Sequence, residues 1–106
     1  MILKDTFTST GNGQVANLGS HTVSSFAVQV VGTGASATSW TVLLEGSLDG
    51  VNFDTIMTHN TATGNGKMLW SGAVLYPSRY IRSNTTAVVL GSATAIVVYV
   101  ASEDTI

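Results

Sequence analysis

Cysteine is absent from the 106-residue chain, which excludes disulfide staples, thiolate metal sites and cysteine nucleophiles. Charge is the second scarcity. Only 9% of the residues are Asp, Glu, Lys or Arg, against roughly 25% in an ordinary soluble domain. Lys4, Lys67, Arg79 and Arg82 are the only cations, and the net charge is −2. Four scattered cations make no basic stripe, so nucleic acid is not expected as a partner. Long apolar runs are missing too. The longest, AIVVYVA at 95–101, falls far short of the ~20 residues of a membrane helix, and no membrane partner is expected. The opening MILKDTFTST carries no apolar stretch of signal-peptide length, so synthesis in the cytoplasm without an export signal is expected.

What is present is apolar and small. Mean hydropathy is +0.34 although Ser, Thr and Gly are abundant. A surface so poor in charge suggests coverage by other protein, because interface cores are depleted in charged residues. A weakly charged monomer is the alternative.

No window of 11 residues sustains a helical apolar period, and Gly or Ser–Thr clusters recur every 8–12 residues. That spacing belongs to an all-β sandwich or barrel. Strands are expected over 4–10, 14–18, 23–31, 39–47, 52–58, 67–72, 79–86 and 93–101. TSTGNGQ at 8–14 and TATGNGK at 61–67 lie 53 residues apart, half the chain. Two four-stranded halves would make the eight strands of a jelly roll built from two Greek keys, although Asn-Gly turns also recur in unrelated β-proteins. The expected fold is therefore one domain over residues 1–106, an antiparallel β-sandwich of about eight strands and of jelly-roll type. Residues 1–6 are a candidate N-terminal arm.

WTVLLEGSLDGVNFDTIMT at 40–58 reads as a hairpin. Asp49-Gly50 suits the two-residue type I′ turn, which needs positive φ at both central positions. That register sets Gly46 opposite Phe53, an aromatic ring able to cover a strand glycine, and Glu45 opposite Asp54. Trp40, Val42, Leu44, Phe53 and Met57 form the core face. Asp49 is then a turn residue, not a ligand. Like charges facing across a ladder are destabilising, so Glu45 and Asp54 need a partner. Arg79 and Arg82, three apart in SRYIRS, point to opposite faces, so only one can join the acids. A structural cluster of Glu45, Asp54, Arg79 and Arg82 is expected; a bound cation such as Ca²⁺ or a bulge separating the acids are the alternatives.

Catalysis finds little support. His21 and His59 are isolated and sit near predicted strand ends, where loop or interface roles suit them, and without cysteine they make no zinc site. The glycine-rich turns open no helix, as a phosphate cradle requires. Neither catalytic residues nor a metal or other cofactor are expected. Trp70 and Tyr76 flank a short loop region and are candidate sugar contacts if the chain binds carbohydrate; core or inter-subunit packing is the alternative. TAIVVYVA is apolar on both faces, and a strand apolar on both faces must be covered on both. Ile96, Val98 and Val100 are the candidate oligomer interface.

Two segments resemble known families. WTVLLEGSLDGVNFDTI followed by PSRYIRS resembles the S-x-D-G-x-x-F/W … R-Y-[IV]-R pattern of discoidin-like, galactose-binding-type sandwiches. Together with TGNG, the LG near residue 18 and the closing LGSATAIV, the chain from about 7 to 101 is also similar to small β-sandwich structural proteins of tailed bacteriophages. Discoidin-type lectin domains are longer and bind through loops that find no match here, so no ligand residues carry over. The phage resemblance implies a virion protein of the capsid surface, a decoration or cement protein that is often trimeric and binds the major capsid protein. The expected function is thus a non-enzymatic virion component acting as a homotrimer. The alternative is a carbohydrate-binding module of a phage adhesin or tail component.

Overall fold

Alternating side chains build this molecule. In Phe26–Thr33, Ser39–Ser47 and Tyr80–Val89, every second residue is buried over most of the strand, the period-2 pattern of strands with one face on a core. The computed structural model describes residues 2–19, 25–61, 67–71 and 78–102. All regular elements among them are strands: β1 (Ile2–Phe7), β2 (Gly11–Asn12), β3 (Ala16–Asn17), β4 (Phe26–Thr33), β5 (Ser39–Ser47), β6 (Asp54–Thr61), β7 (Lys67–Ser71), β8 (Tyr80–Val89) and β9 (Ala95–Ser102). The short β2 and β3 both pair with β8. Counted as one interrupted strand, they bring the total to eight.

Two antiparallel sheets face each other as a sandwich. One runs β1-β9-β4-β7, and the other β2-β8-β5-β6 with β3 also on β8. The pairs are nested in sequence. The first strand meets the last (β1–β9), β2 and β3 meet β8, β4 meets β7, and β5 meets β6. The 53-residue offset noted in the sequence carries β1, β3, β4 and β5 onto β6, β7, β8 and β9. It also carries the order of one sheet onto the other.

The core joins Phe26, Val28 and Val30 of β4, Trp40, Val42 and Leu44 of β5, Ile81 of β8, and Ile96, Val98 and Val100 of β9, with Leu3, Phe7 and Met57 beside them. Each such side chain contributes about 1.5–3 kcal/mol when fully buried. The Trp40 ring meets His59 of β6 edge-on, with centroids 4.7 Å apart. His59 thus belongs to a strand, not to a loop.

Two expectations need correction here. Ile96, Val98 and Val100 are at most 1% exposed and lie inside the core, so they are no interface; the outward row of β9 is Val97, Tyr99 and Ala101. Residues 2–7 are no free arm either, because β1 pairs along its length with Ile96–Ala101. β1 is a sheet edge, and unpaired edges invite association. Gln14 caps part of it, its side-chain amide donating to the Lys4 carbonyl (3.1 Å) while its backbone N–H donates to the Asp5 carboxylate (3.1 Å).

Thr85 is 1% exposed, and its hydroxyl has no hydrogen-bond partner among the described residues. An orphaned buried polar group costs about 1–3 kcal/mol. Thr85→Val should therefore leave stability to chemical denaturation unchanged or raise it by up to ~1 kcal/mol. A loss above that size would mean that the hydroxyl makes a bond that matters.

Candidate functional site

The turn after β5 is longer than two residues. β5 ends at Ser47 and β6 begins at Asp54, which leaves Leu48–Phe53 as the connection. Gly50 has φ +79°, and among the described residues none other than glycine has positive φ. Asp49 is therefore outside the left-handed region that a type I′ turn requires. Side chains hold the loop instead. The Ser47 hydroxyl accepts from the N–H groups of Asp49 (3.2 Å) and Gly50 (2.9 Å) and donates to Asp49 Oδ1 (2.8 Å). Asp49 Oδ1 also accepts from the N–H groups of Val51 and Asn52, both at 2.8 Å, and Oδ2 accepts from the Asn52 side-chain amide at 2.7 Å.

These donors, the Asn52 and Val51 backbone N–H groups first, hold the Asp49 carboxyl well below the usual carboxylate range. Its folded value is depressed, so its contribution to stability is present above the ordinary value of ~3.9. That contribution is lost as pH falls towards the lower folded value. Asp49 is a loop-forming residue, as its place before Gly50 suggested.

The acids at 45 and 54 do not face each other. A bulge after Leu44 sets Leu44 opposite Met57, Glu45 opposite Thr55 and Gly46 opposite Asp54, with Ile56 as the additional residue. Glu45 is 8% exposed and directly opposite Arg82 of β8. Arg82 Nε lies 2.7 Å from Glu45 Oε1, and the Asn84 side-chain amide donates to Oε2 at 3.1 Å. The guanidinium stacks on Phe53, 4.1 Å from the ring centroid. Arg79 is turned elsewhere, its Nε donating to the Gly19 carbonyl at 2.7 Å. Among the described residues the Asp54 carboxylate has no partner. Of the four expected members, the cluster retains Glu45 and Arg82 and adds Asn84 and Phe53.

The two quoted motifs are therefore one structural unit. The Arg79 N–H donates to the Ser47 carbonyl at 3.0 Å, Ser47 pairs with Tyr80, and a Cβ on Gly50 would lie 3.4 Å from the Tyr80 ring. Ile81 enters the core and Arg82 holds Glu45. It is Ser78, not Phe53, that lies against Gly46, closely enough that a Cβ there would collide with the serine side chain.

Beside this unit is an open depression of about 700 Å³, lined among the described residues by Gly46, Leu48, Asp49, Asn52, Asp54 and Ile56 together with Ser47 and Ser78. Leu48 and Val51 of the loop are 66% and 78% exposed. Sequence reasoning missed this site. Its signal was two apolar side chains within a six-residue loop that the hairpin had no use for.

The outer faces of the two sheets differ. Outward positions on the central strands β4 and β9 are Ala27, Gln29, Val31, Val97, Tyr99 and Ala101, all half-buried and none charged. The other sheet shows Glu45, Arg82, Asn84, Thr58 and Asn60. Trp70 lies on β7 opposite Ala27; Tyr76 and His21 lie outside the described residues. Among those residues no three His, Asp or Glu side chains are placed to hold a metal ion.

Removing Arg82 would leave Glu45 nearly buried and unpaired. Breaking a fully buried pair costs about 3–5 kcal/mol. The Arg82 side chain is 24% exposed, so about 2–3 kcal/mol is expected for Arg82→Ala, or roughly 10 °C or more in melting temperature. Arg79→Ala, at an exposed site, should change stability by less than ~1 kcal/mol. Thermal unfolding followed by circular dichroism separates the two; equal losses would contradict the assignment of Arg82 as the structural arginine.

No family model matches the chain, and no curated protein matches it. Among solved structures, the SPBc2 prophage-derived protein YomS superposes with a TM-score of 0.57 at 12% identity, over 97% of this chain and 96% of its own. PirA superposes with a TM-score of 0.55 at 6% identity, over 96% of this chain and 93% of its own. At these identities the likeness establishes a shared β-sandwich fold over essentially the whole chain.

Proposed function

We propose that the chain is a non-enzymatic structural protein of a bacteriophage virion, a capsid decoration or cement protein that self-associates as a homotrimer and binds the major capsid protein. The observation that carries this reading is the charge-free outer face of β4 and β9. These two strands can meet their own copy with little desolvation of ions, since the described cation beside them, Lys4 opposite Tyr99, sits on the edge strand β1, and charge depletion marks interface cores. At about 25 cal/mol per Å² of apolar area, a few hundred Å² per subunit supplies several kcal/mol towards association. The opposite sheet, with its ion pair and amides, suits solvent.

Two further points support the reading. The nested strand pairs agree with a jelly-roll reading of the sandwich, and jelly rolls are used in capsid proteins. The superposition with a prophage-derived protein agrees with the phage-type motifs of the sequence. The work is passive: subunits join through the β4–β9 face, and another part of the surface contacts the capsid.

Light scattering on the purified protein, diluted towards micromolar concentration, tests this. A trimer mass is expected, and Tyr99→Asp should give a folded monomer, since Tyr99 is only half-buried in the single chain. A monomeric wild type, or an unchanged mass in Tyr99→Asp, would overturn the proposed face.

A further inference from the structure

The β4–β9 face and the Glu45–Arg82 pair leave the depression beside Leu48–Phe53 without a role. We infer that it is a docking surface for a protein partner and receives an arginine side chain of that partner. The guanidinium would rest on the Asp54 carboxylate, and the methylene stem between Leu48 and Ile56. That the partner is a protein rests on the structural role proposed above; the charge and shape of the site stand without it.

Three observations converge on this ligand chemistry. The first is charge. The ionised side chains among the described lining residues are Asp49 and Asp54. Asp49 is occupied by its own loop, whereas Asp54 has no partner among the described residues. The two nearby cations are committed elsewhere, Arg82 to Glu45 and Arg79 to the Gly19 carbonyl. Among the described residues the site is therefore negative and lacks its counter-charge. The second is the character of the walls. Leu48 and Ile56 line the depression, and Leu48 and Val51 hold apolar surface in solvent. Arginine matches both features, since its stem covers apolar surface while its planar head binds a carboxylate through two hydrogen bonds.

The third observation is the support beneath. Gly46 and Ser78 are packed so closely that no Cβ fits between them, and the Ser47–Asp49 bonds hold the loop wall. The depression is thus built before a partner arrives, which lowers the ordering cost of binding. A sugar site would be expected to offer a ring for stacking, and the described lining residues include no aromatic side chain.

The test is a titration of the isotope-labelled full chain with N-acetyl-arginine amide, followed by amide chemical shifts. Saturating shifts at Leu48–Asp54 and Ile56 are expected, with an affinity in the roughly millimolar range for a single side chain. The uncharged citrulline analogue should leave these amides unmoved. Asp54→Asn, at an exposed position, should weaken the arginine probe about fivefold, the size of one partly exposed ion pair. The absence of saturable shifts at these amides, or an equal response to the citrulline probe, would overturn the inference. So would a saturating response to methyl β-galactoside, which would make the depression a sugar site. The outcome is independent of the oligomer mass. A trimer that ignores the arginine probe removes only the docking site, and a monomer that binds it removes only the trimer.

Discussion

Glu45 places a carboxylate on the outer side of β5 and then loses nearly all contact with water, being 8% exposed. A desolvated charge is tolerable only when paired and hydrogen-bonded, and much of this end of the molecule is arranged to that end. Arg82 stands directly opposite in the β5–β8 ladder and Asn84 takes the second oxygen. A one-residue slip of β8 would turn both side chains to the other face, so the pair also holds the register of two central strands. Phe53 covers the guanidinium, and Phe53 is brought there by a loop that Ser47 and Asp49 tie together. Ion pair, strand register and loop conformation thus depend on one another.

This dependence explains why the S-x-D-G-x-x-F and R-Y-I-R segments occur together. Ser47, Asp49, Gly50, Tyr80 and Arg82 serve the junction between β5, β6 and β8. Several of the described charges are spent in the same way. Glu45 and Arg82 pair, Arg79 fixes the Gly19 carbonyl, Asp5 caps the Gln14 N–H, and Asp49 ties a loop. Asp54 is left facing a depression, and the β4–β9 face is left with no charge. Those two surfaces are where binding is proposed.

Much of the fold was legible because alternation survives where one face is buried. β5 was anticipated at its full length, and Trp40, Val42 and Leu44 were placed in the core by their spacing. Three features were not fixed, for separate reasons. A bulge was one alternative for separating Glu45 from Asp54, and the pattern could not choose it, because an added apolar residue between Thr55 and Met57 reads as either phase. β9 is apolar on both faces, so its own sequence has no phase; Gln29, opposite Tyr99 in the ladder, is the residue that marks the outward row. In β1 the core-side position between Leu3 and Phe7 is held by Asp5, which hid the alternation and made the segment look like an arm. At the candidate site, the loop-forming role of Asp49 was readable from local chemistry, while the choice between Arg79 and Arg82 as partner of Glu45 stayed open until the register was known. The depression was not readable, since it arises from the meeting of a loop, a bulge and Ser78.

The most direct measurement is a double-mutant cycle on Glu45→Gln and Arg82→Ala, read by chemical denaturation. If the pair holds this junction, the two substitutions should couple by at least about 1.5 kcal/mol, within the range seen for contacting residues. Additive losses would show that Glu45 and Arg82 act separately, and would contradict the central place given to their contact.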